Sequence, residues 1–166
     1  DDGGVAVLLV SDVSKALDTA LLLSELPSMQ LFAHRSIHQT SLTLQKKGHG
    51  LPTLKRWNPK GRGPRVVLWP LSANTAIDLS EQPAASSTIL VSGRASDPES
   101  LAASGADEGI AWSHHADHPE LAQYIEGTGA SQVYLTHSVD QGAALAKRLP
   151  GLRIEAIGPP EQLSLF

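Results

Sequence analysis

The sequence predicts an α/β protein whose sheets are mostly parallel and covered by helices. Short apolar runs alternate with stretches in which apolar residues recur at helical spacing, and most connections between them are short. The hydrophobic content of 41% and the charged content of 18% are ordinary for a globular α/β protein. A chain of 166 residues suits one domain, or one and a fraction, with a proper core.

The first half contains four predicted strands and two predicted helices. The apolar run at residues 5–10 predicts a buried strand, and Ser11 or Asp12 can cap the helix that follows, which Pro27 ends. The other predicted elements are strands at 29–33, 65–69 and 88–91 and a helix at 35–47. The stretches 51–64 and 80–87, rich in proline with glycine or serine, are predicted connections.

The second half repeats the alternation of strand and helix. Pro119 is suited to the first turn of a helix that runs through Glu126, and Pro150 ends a second helix at 139–149. The predicted strands are at 109–112, 133–136 and 152–157. From Gly158 onward the chain leaves the fold.

Composition excludes several classes of site. Cysteine is absent, which excludes disulfides, thiolate metal sites and cysteine nucleophiles and fits a reducing cytoplasm. No apolar run has the length of a membrane span, and no signal peptide is visible, so no membrane partner is expected. Because the chain starts at Asp1 and its only methionine is Met29, we expect a processed product or a piece of a longer protein.

Basic charge is concentrated in one interval. No acidic residue lies between Glu25 and Asp78, although the net charge of the chain is −4. The interval indicates a surface that faces a polyanion, such as nucleic acid, while the alternative is a solvated loop that lacks acids. The candidate nucleic-acid-binding residues are Arg35, Lys46, Lys47, Lys55, Arg56, Lys60, Arg62 and Arg65.

Two histidines follow predicted strands. His115 comes after the strand at 109–112 and His137 after the strand at 133–136, and their imidazoles would converge if those strands were neighbours. Imidazole binds zinc or manganese and also transfers protons near neutral pH, but two histidines cannot hold a catalytic metal alone. Asp117 could orient His115 or cap the next helix, and His114 and His118 are expected to face solvent.

The order of several motifs resembles that of a nuclease family. Ser113-His114-His115-Ala116-Asp117 resembles the Ser-Asp-His-Ala-Asp motif of metallo-β-lactamase fold nucleases with a β-CASP insertion, notably the bacterial ligase-associated DNA exonucleases. Leu135-Thr136-His137-Ser138 falls where that family has a strand ending in His-Gly. The first half is similar as well, at residues 9–16, 31–34, 48–52 and 69–73. The similarity spans about residues 5–157.

The resemblance implies site residues and a fold. His115 corresponds to a histidine placed beside the scissile phosphate, with Asp117 in the same motif, and His137 corresponds to a zinc ligand. It further implies a Rossmann-like β-CASP domain at 1–96, the closing part of a metallo-β-lactamase domain at 97–157, and a tail at 158–166. His114 and Ser138 depart from the family pattern, which alters the residues around the site.

The motif that supplies most metal ligands in the family, His-x-His-x-Asp-His, does not occur in this sequence. The resemblance therefore implies zinc or manganese only in a complete enzyme, in which a further segment or partner chain carries that motif. The chain alone is expected to be inactive and to bind no metal of its own.

The last five residues resemble the pentapeptide with which bacterial repair and replication proteins bind the sliding clamp of the replicative polymerase. Gln162 would be a polar anchor, and Leu163, Leu165 and Phe166 would fill apolar pockets. The alternative is a tail that packs back on its own fold. Three functions fit these features. The first is a clamp-recruited nuclease that processes DNA or, alternatively, RNA. The second is a non-catalytic nucleic-acid-binding subunit tethered to the clamp, and the third is a Rossmann-like small-molecule domain. The third is disfavoured because no glycine-rich phosphate loop follows the first strand.

Overall fold

The computed structural model describes residues 4–26, 29–60, 63–73, 77, 86–136 and 139–157. The chain divides into two compact units, Asp1–His114 and His115–Phe166. The first unit contains β1 (Val5–Val10), α1 (Val13–Ser24), β2 (Gln30–Ala33), α2 (Arg35–Lys46), β3 (Lys55–Arg56), β4 (Arg65–Pro70), β5 (Ser87–Ser92), α3 (Pro98–Ser104) and β6 (Glu108–Ala111). The second contains α4 (His118–Thr128), β7 (Gln132–Thr136), α5 (Val139–Arg148) and β8 (Arg153–Ile157).

The first unit is built on a six-stranded sheet in the order β3-β2-β4-β1-β5-β6, and every strand pairing in it is parallel. Strand β1 lies between β4 and β5, so that Val10 is level with Pro70 on one side and with Val91 on the other. Parallel pairing brings the carboxyl ends of the strands to one edge of the sheet, where ligands of α/β proteins commonly bind.

Side chains alternate between two apolar clusters on the two faces of this sheet. Leu8, Val10 and Leu68 pack in one cluster with residues of α1 and α2, among them Ala20 and Ile37. The other cluster contains Val5, Val7, Phe32, Val67 and Trp69. Burial on both faces explains why these strands have continuous apolar sequences rather than alternating ones.

The second unit has its own small core. Strands β7 and β8 pair in parallel, with Val133 level with Ile154. Ala122 and Ile125 of α4 and Leu145 of α5 are buried together with Leu149. Gly129 ends α4 in the left-handed conformation, with φ of 65°, which glycine adopts without steric cost.

The predicted fold class is confirmed, since both sheets are parallel and helices pack on them. Two details of the predicted elements are wrong. The stretch 51–64 is not all loop, because Lys55 and Arg56 form β3 and pair with Phe32 and Ala33. Helix α3 was not predicted, although Asp97 caps it and Pro98 begins it. The predicted domain boundaries stay a prediction; β6 belongs to the sheet of the first unit.

Within the described residues, no helix combines the length and apolar character needed to cross a membrane.

Helix α1 is capped by Asp12, one of the two residues that the sequence offered for this position. The Asp12 carboxylate accepts a hydrogen bond from the backbone N–H of Lys15 at 2.9 Å and from the hydroxyl of Ser11 at 2.7 Å. These bonds to the ionised form lower the pKa of Asp12 from 3.8 to about 2.

The pKa of Asp12 predicts a loss of stability in acid. Because the folded-state pKa lies below the unfolded value, the stabilisation is complete above about pH 4 and is lost as the pH falls toward 2. Asp12→Asn keeps a capping side chain but cannot ionise, so its unfolding free energy should fall less over this interval. Urea unfolding followed by circular dichroism at several pH values measures the difference between the two proteins. An equal decrease of the unfolding free energy with falling pH in both proteins would contradict the assignment of this stabilisation to Asp12.

Candidate functional site

A cavity of about 240 Å³ lies at the carboxyl edge of β2, β3 and β4. Its walls are formed by Ala33, His34, Arg35, Arg56, Trp57 and Trp69. The parallel register explains this grouping, because Ala33 is level with both Arg56 and Leu68, and the residues after these positions therefore meet. The cavity brings together aromatic and cationic side chains from three strands and the start of α2.

The aromatic walls are fixed by edge-to-face contacts. The His34 ring lies 4.6 Å from the Trp69 ring at an interplanar angle of 73°, and the Trp57 ring lies 5.9 Å from that of Phe32 at 90°. His34 also caps α2, with its Nδ1 accepting from the backbone N–H of Ser36 at 3.3 Å. Such contacts hold the rings in one orientation.

The eight predicted basic residues occupy different parts of the first unit. Arg35 and Arg56 line the cavity, whereas Lys46 and Lys47 lie at the other end of α2. Lys55 donates to Gln30 at 3.1 Å on the edge strand, and Lys60 follows in the connection to β4. Arg62 lies outside the described residues.

Arg65 differs from the other basic residues because it is buried. Its side chain is only 3% exposed, it lies 5.2 Å over the Trp57 ring, and it donates to the carbonyls of Gly63 and Asn58. Burial lowers the pKa of Arg65. These contacts give Arg65 a role in positioning Trp57.

The segment after β6 is attached to α1. Lys15, which is 6% exposed, donates from Nζ to the carbonyl oxygen of Trp112 at 2.8 Å. His114 is exposed, as expected; its Nε2 lies 3.3 Å from a carboxylate oxygen of Asp18, and its ring packs edge-on against Trp112. This position gives His114 a structural contact within the first unit.

The second unit begins with a cavity of about 580 Å³ lined by His115, Ala116, Asp117, His118 and Leu121. Asp117 caps α4 in a reciprocal arrangement with Glu120. Its carboxylate accepts from the Glu120 N–H at 2.8 Å, and its own N–H donates to the Glu120 carboxylate at 3.1 Å. The capping interpretation of Asp117 therefore has direct geometric support, and its predicted catalytic role stays a prediction.

The predicted convergence of His115 and His137 stays a prediction. Strand β6 is hydrogen-bonded within the six-stranded sheet and β7 within the two-stranded sheet. His137 and Ser138 lie outside the described residues, as do Gln162, Leu163, Leu165 and Phe166 of the tail.

Zinc and manganese need at least three protein ligands in a catalytic site. No group of three histidine or acidic side chains is arranged to hold a metal ion within the part of the chain that the structure describes. The described residues thus do not fit a resident metal by themselves.

The sequence did not identify His34, Trp57 and Trp69 as candidate site residues. A signal was present, because Trp57 directly follows Lys55 and Arg56, and aromatic residues among basic ones are typical of nucleic-acid-binding surfaces. Trp69 offers no such signal, since it ends an apolar run and reads as core.

Substitution of Asp117 separates capping from other roles. Asp117→Ala should lower the unfolding free energy by about 1 kcal/mol because α4 loses its cap, whereas Asp117→Ser retains a capping hydroxyl and most of the stability. Urea denaturation of the complete chain, followed by circular dichroism, provides the comparison. Equal stability of both variants would contradict the capping role.

The comparisons with known proteins give one similarity. A probable DNA ligase from Opitutus terrae is 24% identical to this chain over 164 residues, which are 99% of the chain and 16% of the relative. The chain thus spans about a sixth of the length of the relative that it matches. No family model matches the sequence, and no solved structure matches it.

Proposed function

We propose that this chain is the nucleic-acid-binding part of a DNA-processing nuclease of the β-CASP type, which acts on DNA ends in the bacterial cytoplasm. The cavity with Arg35 and Arg56 at the carboxyl edge of the parallel sheet is the observation that carries the proposal. The similarity to a protein named as a probable DNA ligase favours DNA over other polyanions.

The charges at this edge are available for phosphate. Neither Arg35 nor Arg56 forms an ion pair among the described residues, whereas Arg94 and Arg153 pair with Asp97 and Glu155. Guanidinium groups without carboxylate partners favour phosphate oxygens, and such contacts supply most of the affinity for nucleic acid.

Hydrolysis in this proposal requires more than the described residues. A segment or partner with a His-x-His-x-Asp-His motif would supply the metal ligands, and His137 would add one, as the family resemblance implies. His115 would contact the phosphate from the cavity that it lines with Asp117 and His118.

The second candidate is a non-catalytic subunit that binds nucleic acid while tethered to the sliding clamp. One observation favours it: within the described residues, the carboxylate of Asp117 is engaged in capping α4, and no three potential ligands are grouped. Both candidates predict nucleic-acid binding, and only the first predicts cleavage when the missing segment is added.

Nucleic-acid binding can be measured by fluorescence anisotropy with labelled DNA at two salt concentrations. Lys55→Ala/Lys60→Ala should weaken binding. It should also reduce the slope of log affinity against log salt concentration by the amount expected for the loss of up to about two phosphate contacts. The control is Arg94→Ala/Arg153→Ala, which removes the same charge from two ion pairs and should change little. Failure of the unaltered chain to bind DNA would contradict both candidates.

The two candidates differ in cleavage. The test combines the unaltered chain with the segment that carries the missing motif, in the presence of manganese. Cleavage that His115→Ala abolishes supports the nuclease. Binding without cleavage supports the non-catalytic subunit.

The proposed recruitment to the sliding clamp depends on the final residues. Deleting residues 162–166 should abolish binding to the purified clamp, because three apolar anchors are lost, while Ser164→Ala should bind as the unaltered chain does. Surface plasmon resonance with immobilised clamp gives both affinities. Undiminished binding by the truncated chain would remove this part of the proposal.

A further inference from the structure

We infer that the cavity between β2, β3 and β4 holds one unpaired nucleotide of a single-stranded nucleic acid. In this arrangement Arg35 and Arg56 contact the phosphate, and the aromatic wall formed by His34, Trp57 and Trp69 contacts the base. The inference rests on the proposed nucleic-acid function and goes beyond it, because it names the form of the strand and the site that recognises it.

Two arginines are placed to contact the phosphate. Arg35 is the first residue of α2, and Arg56 is the last residue of β3, level with Ala33 in the neighbouring strand. Two arginines therefore line one cavity from different elements. The N-terminal turn of α2 adds backbone N–H groups that also favour an anion.

The aromatic walls that would contact the base are held by neighbouring side chains. The Trp57 ring contacts the Arg65 guanidinium at 5.2 Å and the Phe32 ring at 5.9 Å, and the Trp69 ring contacts His34 at 4.6 Å. The walls are thus prearranged, which reduces the entropy lost when a planar ligand binds. Trp57 also carries a buried indole N–H that has no hydrogen-bond partner among the described residues.

The volume of the cavity limits the size of the ligand. Pockets for drug-sized ligands have volumes of roughly 300–1,000 Å³. The cavity, at about 240 Å³, is smaller and suits a single base with its phosphate rather than a dinucleotide cofactor. In a duplex the bases are stacked and paired, so only an unpaired nucleotide can present its ring to an aromatic wall.

A general basic surface would behave differently. Contacts to phosphates alone carry no preference for unpaired bases, and their strength follows the number of charges rather than their positions. Two exposed basic residues elsewhere in the chain, such as Lys147 and Arg148 of α5, would then matter as much as the two arginines of the cavity.

This difference defines the main experiment, in which the complete chain binds labelled oligothymidylate of about 12 nucleotides or a duplex of the same length. Arg35→Ala/Arg56→Ala should weaken binding to the single strand by roughly tenfold or more. Lys147→Ala/Arg148→Ala is the matched control, since it removes the same charge from exposed positions in the last turn of α5 and should have a much smaller effect.

Tryptophan fluorescence provides a readout that needs no change in the cavity. Trp112→Phe leaves only the two cavity tryptophans, so oligothymidylate should still quench the emission, whereas inorganic tripolyphosphate should quench it weakly. Circular dichroism of each variant verifies that it is folded.

Three results would overturn the inference while leaving nucleic-acid binding intact. These are equal losses in the two double variants, equal affinity for single strand and duplex, and unchanged emission on binding of the oligonucleotide. Absence of any binding by the unaltered chain would instead overturn the proposed function on which the inference rests.

Discussion

Strand β1 is hydrogen-bonded on both sides, and its register with β4 and β5 determines where the other parts of the first unit lie. Val7 and Val10 are fully buried on opposite faces of the sheet. A shift of one residue would exchange the two faces, so the register is strongly specified by burial. The parallel registers of β2 with β3 and with β4 bring the ends of these three strands together at one edge.

The electrostatics of the first unit follow from this arrangement. Arg65, which is buried in the sheet, has a structural role, since it lies over the Trp57 ring and donates to the carbonyls of Gly63 and Asn58. Arg35 and Arg56, at the carboxyl edge of the strands, are exposed and form no ion pair within the described residues. The absence of acidic residues between Glu25 and Asp78 thus affects the buried Arg65 and the exposed Arg35 and Arg56 differently.

The strands with apolar sequences could be predicted because burial on both faces leaves a clear signal, as in β1 and β4. Strand β3 could not, since its two residues are basic and leave no apolar pattern. Helix α3 has no buried residue and therefore no apolar stripe. Sequence periodicity also says nothing about which strands are neighbours. The order of the strands in the sheet and the cavity with Trp57 and Trp69 therefore required the structure.

The shortness of β3 has a further consequence. It is an edge strand, and an exposed edge can pair with the edge of another molecule and begin aggregation. Two residues, both with long charged side chains, give such pairing little length and oppose it by repulsion between like charges. Arg56 is thus placed to serve two purposes, so replacing it with an apolar residue would endanger the solubility of the protein as well as its cavity.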